Sequence, residues 1–278
     1  MIKKHHFQLY SRLLMGLVGC LIVFFTASAS GCKDKKAAQA SAETQQEVAV
    51  APVPPTPPAP PAESAKLEPP VPCATPKNAK VKISTKFGDM IVKLYDETPG
   101  HRDNFLMLVD KGFYNGLLFH RCIRGFMAQG GDPDSKGAAP GRQLGVGGPG
   151  YTIPAEFNPK LFHKKGALSA ARMGDQANPT KASSGSQFYI VQGQPINDMQ
   201  MQQYQTYISQ RLPGYAFSEE QKNTYKTLGG TPQLDMDYTV FGEVIQGLNI
   251  IDSINAQPTM KPGDRPKTDI IMNMSRIQ

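Results

Sequence analysis

Apolar and polar residues alternate along VKISTKFGDMIVKLY (residues 81–95), the first clear repeat of two in the chain. Val81 and Ile83 precede Gly88-Asp89, and Met90, Val92 and then Leu94 follow it. Alternation on both sides of a glycine-containing turn is typical of two half-buried strands that pair with each other. The stretch therefore predicts a β-hairpin that turns at Gly88-Asp89.

Helical spacing replaces the alternation after Thr98-Pro99. Proline is tolerated at the first position of a helix, and the apolar residues of 105–109 follow at helical spacing until Gly112 ends the element. The segments LFHRCI, GFMAQ, GALSAA, SQFYIVQ and DYTVFGEVI then read as short strands, and GLNIIDSI as a second short helix. Many short strands with little helix favour a closed barrel or a sandwich.

Residues 195–234 interrupt this series of strands. SEEQKNTYKTLGG predicts a helix, because Ser218 and Gln221 form a capping box and Gly229-Gly230 supplies a stop. DMQMQQYQTYISQRL mixes the spacing of its apolar residues but is also compatible with a helix. We interpret 195–234 as a helical insertion on a β domain.

Residues 1–31 have the composition of an export signal. Lys3, Lys4 and Arg12 precede an apolar stretch, which ends in small residues before Cys32. ASGC at that point resembles the lipobox of bacterial lipoproteins, in which the cysteine is lipidated. LVGC, ending at Cys20, also matches, but cleavage there would leave LIVFF on the mature chain. The sequence favours Cys32 as the lipidation site, with a soluble secreted protein or an uncleaved anchor as alternatives.

Residues 32–77 are dense in alanine and proline and nearly free of large apolar side chains. Such a segment cannot bury a core and favours extended polyproline II. A spacer between an anchor and a folded domain is expected, and a proline-rich ligand for an SH3-type domain is the alternative. The folded domain is then predicted to span residues 78–278.

Composition and charge exclude several functions. The net charge of +7 is mild, and no basic stripe is interleaved with aromatics, so nucleic acid is not an expected partner. Neither the histidines nor the cysteines have metal-ligand spacing, so no metal is expected. Cys73 and Cys122 are expected as free thiols, although an exported chain could pair them. Asp132 and Asp134 flank Pro133 as in a turn, which we prefer to a catalytic pair.

The segment FHRCIRGFMAQGGD (119–132) carries the candidate chemistry. If its halves are strands that turn at Gly125, Arg121 faces Gln129 across the pair, beside Phe126 and Met127. One cation, one amide and an apolar wall provide no nucleophile and no ordinary general base. Such a site suits a reaction in which no covalent bond changes, such as rotation about an X-Pro peptide bond. A guanidinium stabilises the twisted amide more than the planar one.

The same segment closely resembles the signature of cyclophilins, which are peptidyl-prolyl cis-trans isomerases. VKISTKFGDMIVKLYDETP, NFLMLVDKGFYNGLLFHR, GGPGYTIPAEF, GALSAARMG, SSGSQFYI and YTVFGEVIQGLNIID resemble further cyclophilin motifs in the same order, so the resemblance covers about 80–278. It implies a mainly β fold: a closed eight-stranded antiparallel β-barrel with two capping helices, here with the helical insertion. It also implies isomerase activity on X-Pro bonds without a cofactor.

The resemblance assigns roles to individual residues. Arg121 would be the catalytic arginine, with Gln129 beside it in contact with the substrate backbone. His120 would be a structural, hydrogen-bonded core histidine. The remaining candidates would bind the proline and the residues before it: Phe126, Met127, Ala171, Arg172, Gln187, Tyr189, Leu234 and Tyr238.

Some positions depart from the common cyclophilin pattern. Tyr189 stands where phenylalanine is usual, Tyr238 where histidine is frequent, and Arg172 where asparagine is common. The chain has no tryptophan, and Gln233 is the nearest match to the one that helps many cyclophilins bind cyclosporin. Isomerase activity is expected to persist, whereas cyclosporin sensitivity is in doubt.

The expected protein is a lipid-anchored monomeric isomerase that assists the folding of proline-containing polypeptides in a bacterial envelope. Lys33 replaces the aspartate that retains some lipoproteins at the inner membrane, which favours the outer membrane, with its face left open. The insertion, close to the pocket mouth, is expected to shape which polypeptides enter. The alternative is a non-catalytic module that binds proline-containing segments as a chaperone or scaffold.

Overall fold

The computed structural model describes residues 77–277 of the chain. Its four α-helices are α1 (Pro99–Asp110), α2 (Asp198–Arg211), α3 (Glu219–Thr227) and α4 (Leu248–Asn255). Short 3₁₀ turns cover Pro133–Ser135 and Pro232–Leu234. The strands are β1 (Lys80–Thr85), β2 (Gly88–Leu94), β3 (Leu117–Leu118), β4 (Arg121–Ile123), β5 (Met127–Gly130), β6 (Thr152–Ile153), β7 (Ala167–Ala170), β8 (Ser183–Ser184), β9 (Phe188–Val191), β10 (Val240–Gln246), β11 (Thr259–Met260), β12 (Arg265–Pro266) and β13 (Ile271–Ile277).

Nine of these strands form one sheet, in the order β3-β13-β1-β2-β10-β7-β9-β5-β4. Neighbouring strands pair antiparallel throughout. The two strands at the ends of this order, β3 and β4, are separated in the chain by Phe119 and His120 alone. The prediction of a mainly β fold with helices is confirmed, whereas the described sheet has nine strands instead of the eight expected.

The first hairpin forms as predicted, but its turn lies two residues earlier. Thr85 pairs with Gly88, so Lys86 and Phe87 make the turn and Gly88-Asp89 opens β2. Helix α1 begins at Pro99, as its sequence indicates, and ends at Asp110, just before Gly112. Its buried face packs against β10 and β13.

The largest apolar cluster lies between the sheet and the helices α1 and α4. The inward residues of β1 and β2, such as Val81, Ile83, Met90 and Val92, are fully buried there. Four aromatic rings meet in this core, with centroid distances of 5.0–5.7 Å between neighbours: Phe105, Tyr114, Phe188 and Phe241. Burial of aromatic rings in edge-to-face contact stabilises the domain beyond the buried area alone.

The segment 195–234 is helical, as predicted, and has an apolar cluster of its own. Ser218 and Gln221 form the expected capping box at the start of α3, and Asn197 and Gln200 form a second one at α2. The cluster brings together both helices and the chain before them: Phe162, Ile196, Met201, Ile208, Phe217 and Tyr225. The two helices therefore form a small packed unit.

Among residues 77–277, no helix is both long enough and apolar enough to cross a membrane. Cys122 is a buried free thiol, and burial raises its pKa to about 12, so it stays protonated. The described residues begin at Lys77, which is the last residue of the predicted Ala/Pro-rich spacer. The rest of the spacer lies outside them, as do the predicted signal, both candidate lipidation cysteines and Cys73.

Candidate functional site

Strands β4 and β5 bring the candidate polar pair together. They pair antiparallel, with Arg121 directly opposite Gln129 and Ile123 opposite Met127. Gly125 makes the turn between them in the left-handed region, at φ 75°, where glycine is favoured over other residues. Direct partners across a strand pair lie on the same face, so both polar side chains face the same cleft.

The cleft has a volume of about 180 Å³. That volume is below the range of about 300–1,000 Å³ typical of pockets for drug-sized ligands, so it suits one small ring. Its lining contains nine of the ten predicted site residues: Arg121, Phe126, Met127, Gln129, Ala171, Arg172, Tyr189, Leu234 and Tyr238. The tenth, Gln187, lies one step behind the lining.

The apolar wall of the cleft comes from three parts of the chain. Phe126 and Met127 come from the β4–β5 turn, Tyr189 from β9, and Leu234 and Tyr238 from the segment before β10. The rings of Tyr189 and Tyr238 meet edge to face, with centroids 5.9 Å apart. Met127 and Tyr189 are almost fully buried, so this wall has little freedom to move.

Arg121 is half-buried, and within residues 77–277 its guanidinium makes no hydrogen bond or ion pair. An arginine keeps its positive charge in any protein environment and offers five N–H donors. This side chain therefore holds charge and unused donors at the edge of an apolar cleft. Of the two arginines that line the cleft, Arg121 is the one available to a bound molecule.

Arg172 is engaged by the protein itself. Its Nη2 lies 3.1 Å from Asp237, its Nη1 lies 2.5 Å from Asp175, and its Nε donates to the Asp237 carbonyl. The guanidinium also stacks over the ring of Tyr238, 4.5 Å from the centroid. Its side chain is 2% exposed, so Arg172 fixes the cleft edge instead of reaching into it.

Gln129 and Gln187 form a chain of amides behind the arginine. Gln129 Nε2 donates to Gln187 Oε1 at 2.9 Å, and Gln187 Nε2 donates to the carbonyl of Gly147 at 2.7 Å. This arrangement leaves the Gln129 carbonyl oxygen open toward the cleft. Gln187 thus orients Gln129 and does not line the cleft itself.

The end of the motif is structural. Asp132 accepts hydrogen bonds from the backbone of Asp134 and of Gly145, so the Asp132–Asp134 pair belongs to a turn, as predicted. Gly131 has φ 90°, and a Cβ there would lie 2.2 Å from the Ser186 carbonyl. The second glycine of the Gly130-Gly131 pair is therefore required by the close approach of another chain segment.

His120 is buried, as a structural histidine should be, but neither ring nitrogen has a hydrogen-bond partner within the described residues. The expected burial of His120 is confirmed, and its hydrogen bonding stays a prediction. Burial lowers its pKa from 6.5 to about 4, although the nearby Asp132 carboxylate acts in the opposite direction. The imidazole is neutral in the folded protein at ordinary pH.

Sequence reasoning missed a hydrogen-bonded chain behind the cleft. The Tyr189 hydroxyl lies 3.0 Å from His163 Nε2, and His163 Nδ1 lies 2.7 Å from Asp235 Oδ1. Asp235 Oδ2 accepts from the Tyr225 hydroxyl at 2.6 Å. These residues are far apart in sequence and follow no recognisable spacing, so only a tyrosine in the apolar SQFYI strand hinted at a buried polar partner.

A second acid–histidine–hydroxyl set lies elsewhere. His101 Nδ1 is 2.6 Å from Glu156, and its Nε2 is 2.9 Å from the Ser183 hydroxyl. The order of groups is that of a serine hydrolase, but Ser183 is 1% exposed and cannot meet a substrate carbonyl. Glu156 also accepts from the backbone N–H groups of Gly100 and His101, so this set anchors the start of α1.

The cleft can therefore hold a small apolar ring and present one cation and one amide to the group attached to it. Within its lining there is no cysteine, serine or carboxylate to act as nucleophile or general base. Its chemistry is restricted to stabilising charge and geometry in a bound molecule.

Known proteins match this chain over the same residues. The family model for cyclophilin type peptidyl-prolyl cis-trans isomerase/CLD matches residues 80–276. A Staphylococcus saprophyticus protein named as a candidate peptidyl-prolyl cis-trans isomerase is 35% identical over 202 residues, which cover 71% of this chain and 91% of that protein. A Staphylococcus aureus protein of the same name is 36% identical over 200 residues, with 72% and 91% covered.

The fold matches solved structures as well. A cyclophilin type peptidyl-prolyl cis-trans isomerase of Cryptosporidium parvum superposes with a TM-score of 0.50 and 25% identity, over 72% of this chain and 98% of that one. A second structure from the same organism was solved in the presence of the dipeptide Ala-Pro and matches with a TM-score of 0.50, 24% identity and similar coverage.

Proposed function

The chain belongs to the cyclophilin-type peptidyl-prolyl cis-trans isomerases, and we propose that Arg121 and the cleft beside it form its active site. One observation carries this proposal: an arginine without a partner in the described residues faces an apolar cleft that fits one small ring. The proline ring would lie against Phe126, Met127, Tyr189 and Leu234. Gln129 would contact the backbone of the substrate.

The geometry accounts for the reaction in physical terms. Rotation about a peptide bond costs about 18–20 kcal/mol, because the planar amide loses its resonance. In the twisted state the prolyl nitrogen has a usable lone pair, to which the Arg121 guanidinium donates. This interaction is stronger in the transition state than in the planar amide, which is the condition for catalysis. Each ~1.4 kcal/mol of such preference makes the rotation tenfold faster.

The apolar wall contributes by holding one side of the bond still. A buried proline ring stays fixed while the residues before it rotate. Ala171, whose backbone pairs with Gln187, would provide an edge for those residues. Arg172 would set the position of this edge without contacting the substrate. The Cryptosporidium parvum structure with Ala-Pro accords with a proline-containing substrate.

A non-catalytic binding module remains the second candidate for the role of this cleft. It would use the same apolar wall to hold proline-containing segments. The Arg121 guanidinium, which has no partner within residues 77–277, argues against it. Binding a proline ring alone does not require a cation at the edge of the cleft, and desolvation of that cation costs free energy.

We also infer that the sheet closes into an eight-stranded barrel. β3 and β4 end the strand order and are two residues apart, and the Phe119 N–H between them donates to Ile270 just before β13. Counted as one strand, they reduce nine strands to eight. Amide hydrogen exchange tests this inference, because a closed barrel protects both β3 and β4, whereas an open sheet leaves an edge that exchanges fast.

The cellular setting is proposed from the sequence. The export signal, Cys32 and the Ala/Pro-rich spacer support a monomer anchored by lipid in a bacterial envelope, with the outer membrane favoured. Labelling cells with a radioactive fatty acid tests the anchor: we expect Cys32→Ala to lose the label and Cys20→Ala to keep it. Loss of label in Cys20→Ala alone would assign the anchor to Cys20, and an unlabelled wild type would exclude it.

Refolding of a protein limited by X-Pro isomerisation tests catalysis against binding. The unaided slow phase takes tens to hundreds of seconds. We expect sub-stoichiometric wild type to accelerate it, and Arg121→Ala to lose on the order of a hundredfold of that acceleration. Arg124→Ala is the matched control, since the exposed Arg124 donates to the Ala256 carbonyl outside the cleft. A binding module would leave the phase unchanged, or slow it at high concentration.

A further inference from the structure

Two residues of the cleft wall, Tyr189 and Leu234, are linked to one buried chain of hydrogen bonds. Tyr189 contributes its ring to the cleft, and its hydroxyl contacts His163 behind it. Leu234 is also a cleft residue, and the residue after it, Asp235, contacts the other nitrogen of His163. His163 is 0% exposed and Asp235 is 1% exposed, so both lie inside the protein, away from any substrate.

The hydrogen-bond directions in this chain follow from Asp235. A carboxylate only accepts, and Asp235 accepts from the His163 backbone N–H, from His163 Nδ1 and from the Tyr225 hydroxyl. His163 therefore donates from Nδ1 to Asp235, and its Nε2 lies 3.0 Å from the Tyr189 hydroxyl. This hydrogen bond between the Tyr189 hydroxyl and Nε2 holds the Tyr189 ring in its place in the cleft wall. The ring of His163 stacks on that of Tyr189, with an interplanar angle of 12°.

The other end of the chain lies in the helical insertion. Tyr225 belongs to α3 and is 0% exposed, packed edge to face against Phe162 and Phe217. Arg211, the last residue of α2, donates from Nη2 to the Asp235 carbonyl at 2.5 Å and from Nη1 to the Gln233 carbonyl at 3.4 Å. Helix α2 thus holds the backbone on either side of Leu234, and α3 holds the side chain of Asp235.

No residue of α2 or α3 lines the cleft. Any effect of these helices on a small bound peptide must therefore pass through contacts such as Tyr225–Asp235 and Arg211–Asp235. A carboxylate with three donors has few alternative geometries, so displacement of one donor displaces Asp235 and His163 together.

We propose that His163, Asp235 and Tyr225 are positioning residues for the isomerase site, through which the helical insertion sets the positions of Tyr189 and Leu234. The inference rests on the proposed active site and adds a role for the insertion. It differs from a steric role at the pocket mouth, because it acts on the cleft walls and so extends to the shortest substrates.

Kinetics of an Ala-Pro tetrapeptide, followed by exchange NMR on the full-length protein, tests this role. Tyr225→Phe removes one hydroxyl that no substrate touches. We expect KM to rise about three- to tenfold, the factor equivalent to one net hydrogen bond, with little change in kcat. Tyr204→Phe is the matched control: its ring packs on the same apolar cluster of the insertion, and its hydroxyl makes no hydrogen bond within residues 77–277, so KM should not change.

Coupling between the ends of the chain provides the sharper measurement. Tyr189→Phe also breaks the chain while retaining the ring. If the two hydroxyls act through one chain, the double variant raises KM by less than the product of the two single factors. A multiplicative effect, or a lowered melting temperature with unchanged KM in Tyr225→Phe, overturns the proposal. A purely steric insertion would also leave the tetrapeptide KM unchanged.

A second variant covers the possibility that Tyr225→Phe does not fold. Arg211→Gln changes a partly exposed side chain, removes both donors to the backbone around Leu234 and also removes the 3.4 Å ion pair with Asp237. We expect it to raise KM in the same way, and an unchanged KM would overturn the proposal. Arg121→Ala distinguishes a failure of the proposed active site from a failure of the positioning role. If that variant keeps its turnover, the proposed active site is wrong, whatever the Tyr225 result.

Discussion

At the scale of residues, the two arginines of the cleft differ in what the protein does with their charge. Arg172 is bound by Asp175 and Asp237 and stacked on Tyr238, whereas Arg121 has no partner within residues 77–277. A guanidinium whose N–H donors are already engaged by other residues cannot turn toward charge that develops on a bound substrate. The sequence predicted both residues at the site, but their different roles depend on partners that are distant in the chain.

Four of the ten candidate residues lie in the 119–132 motif, and the resemblance of the wider chain to cyclophilins assigned the other six. The alternation of 119–129 placed Arg121 opposite Gln129, and the structure has that register. His163, Asp235 and Tyr225 could not be found in the same way. They meet because the insertion folds back on the sheet, and no local spacing encodes a contact between residues 163 and 235.

His120 gives a pH dependence at the residue scale. Burial lowers its pKa to about 4, below the value of 6.5 in an unfolded chain, so the folded state disfavours the protonated imidazole. Its contribution to stability is fully present above the unfolded pKa and is lost as pH falls from 6.5 toward 4. When the pH falls from about 7 to about 4.5, we expect the protonation of His120 to lower the free energy of unfolding by about 2 kcal/mol.

Urea unfolding of wild type and His120→Phe at the two pH values measures this contribution. The variant lacks the titrating group, so its free energy of unfolding should fall less on acidification, by about the same 2 kcal/mol. Comparing each protein with itself cancels any packing change that the phenylalanine causes at both pH values. An equal fall in both proteins would assign the pH dependence to other groups.

At the scale of elements, local signals predicted most helices and strands, but not every boundary. The capping box at Ser218 needs only four consecutive residues, and α3 begins there. The hairpin turn was misplaced, because alternation indicates strands but does not distinguish a turn at Lys86-Phe87 from one at Gly88-Asp89. The spacing in α2 was unclear for a physical reason: only Met201 and Ile208 of its residues are buried, so its apolar face is narrow.

At the scale of the whole molecule, we expect the helical insertion to set the geometry of the cleft. The insertion has its own apolar cluster, and it reaches the site through the hydrogen-bonded chain at Asp235. Signal, anchor and spacer are predictions that lie outside the described residues. They bear on the cellular location of the enzyme, whereas the cleft bears on its catalytic activity.

Turnover of an Ala-Pro tetrapeptide by wild type and by Arg121→Ala tests the central claim most directly. Exchange NMR gives kcat and KM separately under the same conditions. We expect fast exchange with wild type, and in the variant a kcat lower by on the order of a hundredfold, with KM changed only a few-fold, because the arginine acts on the twisted amide. A folded Arg121→Ala protein with wild-type kcat, or a folded wild type without turnover, would contradict the account.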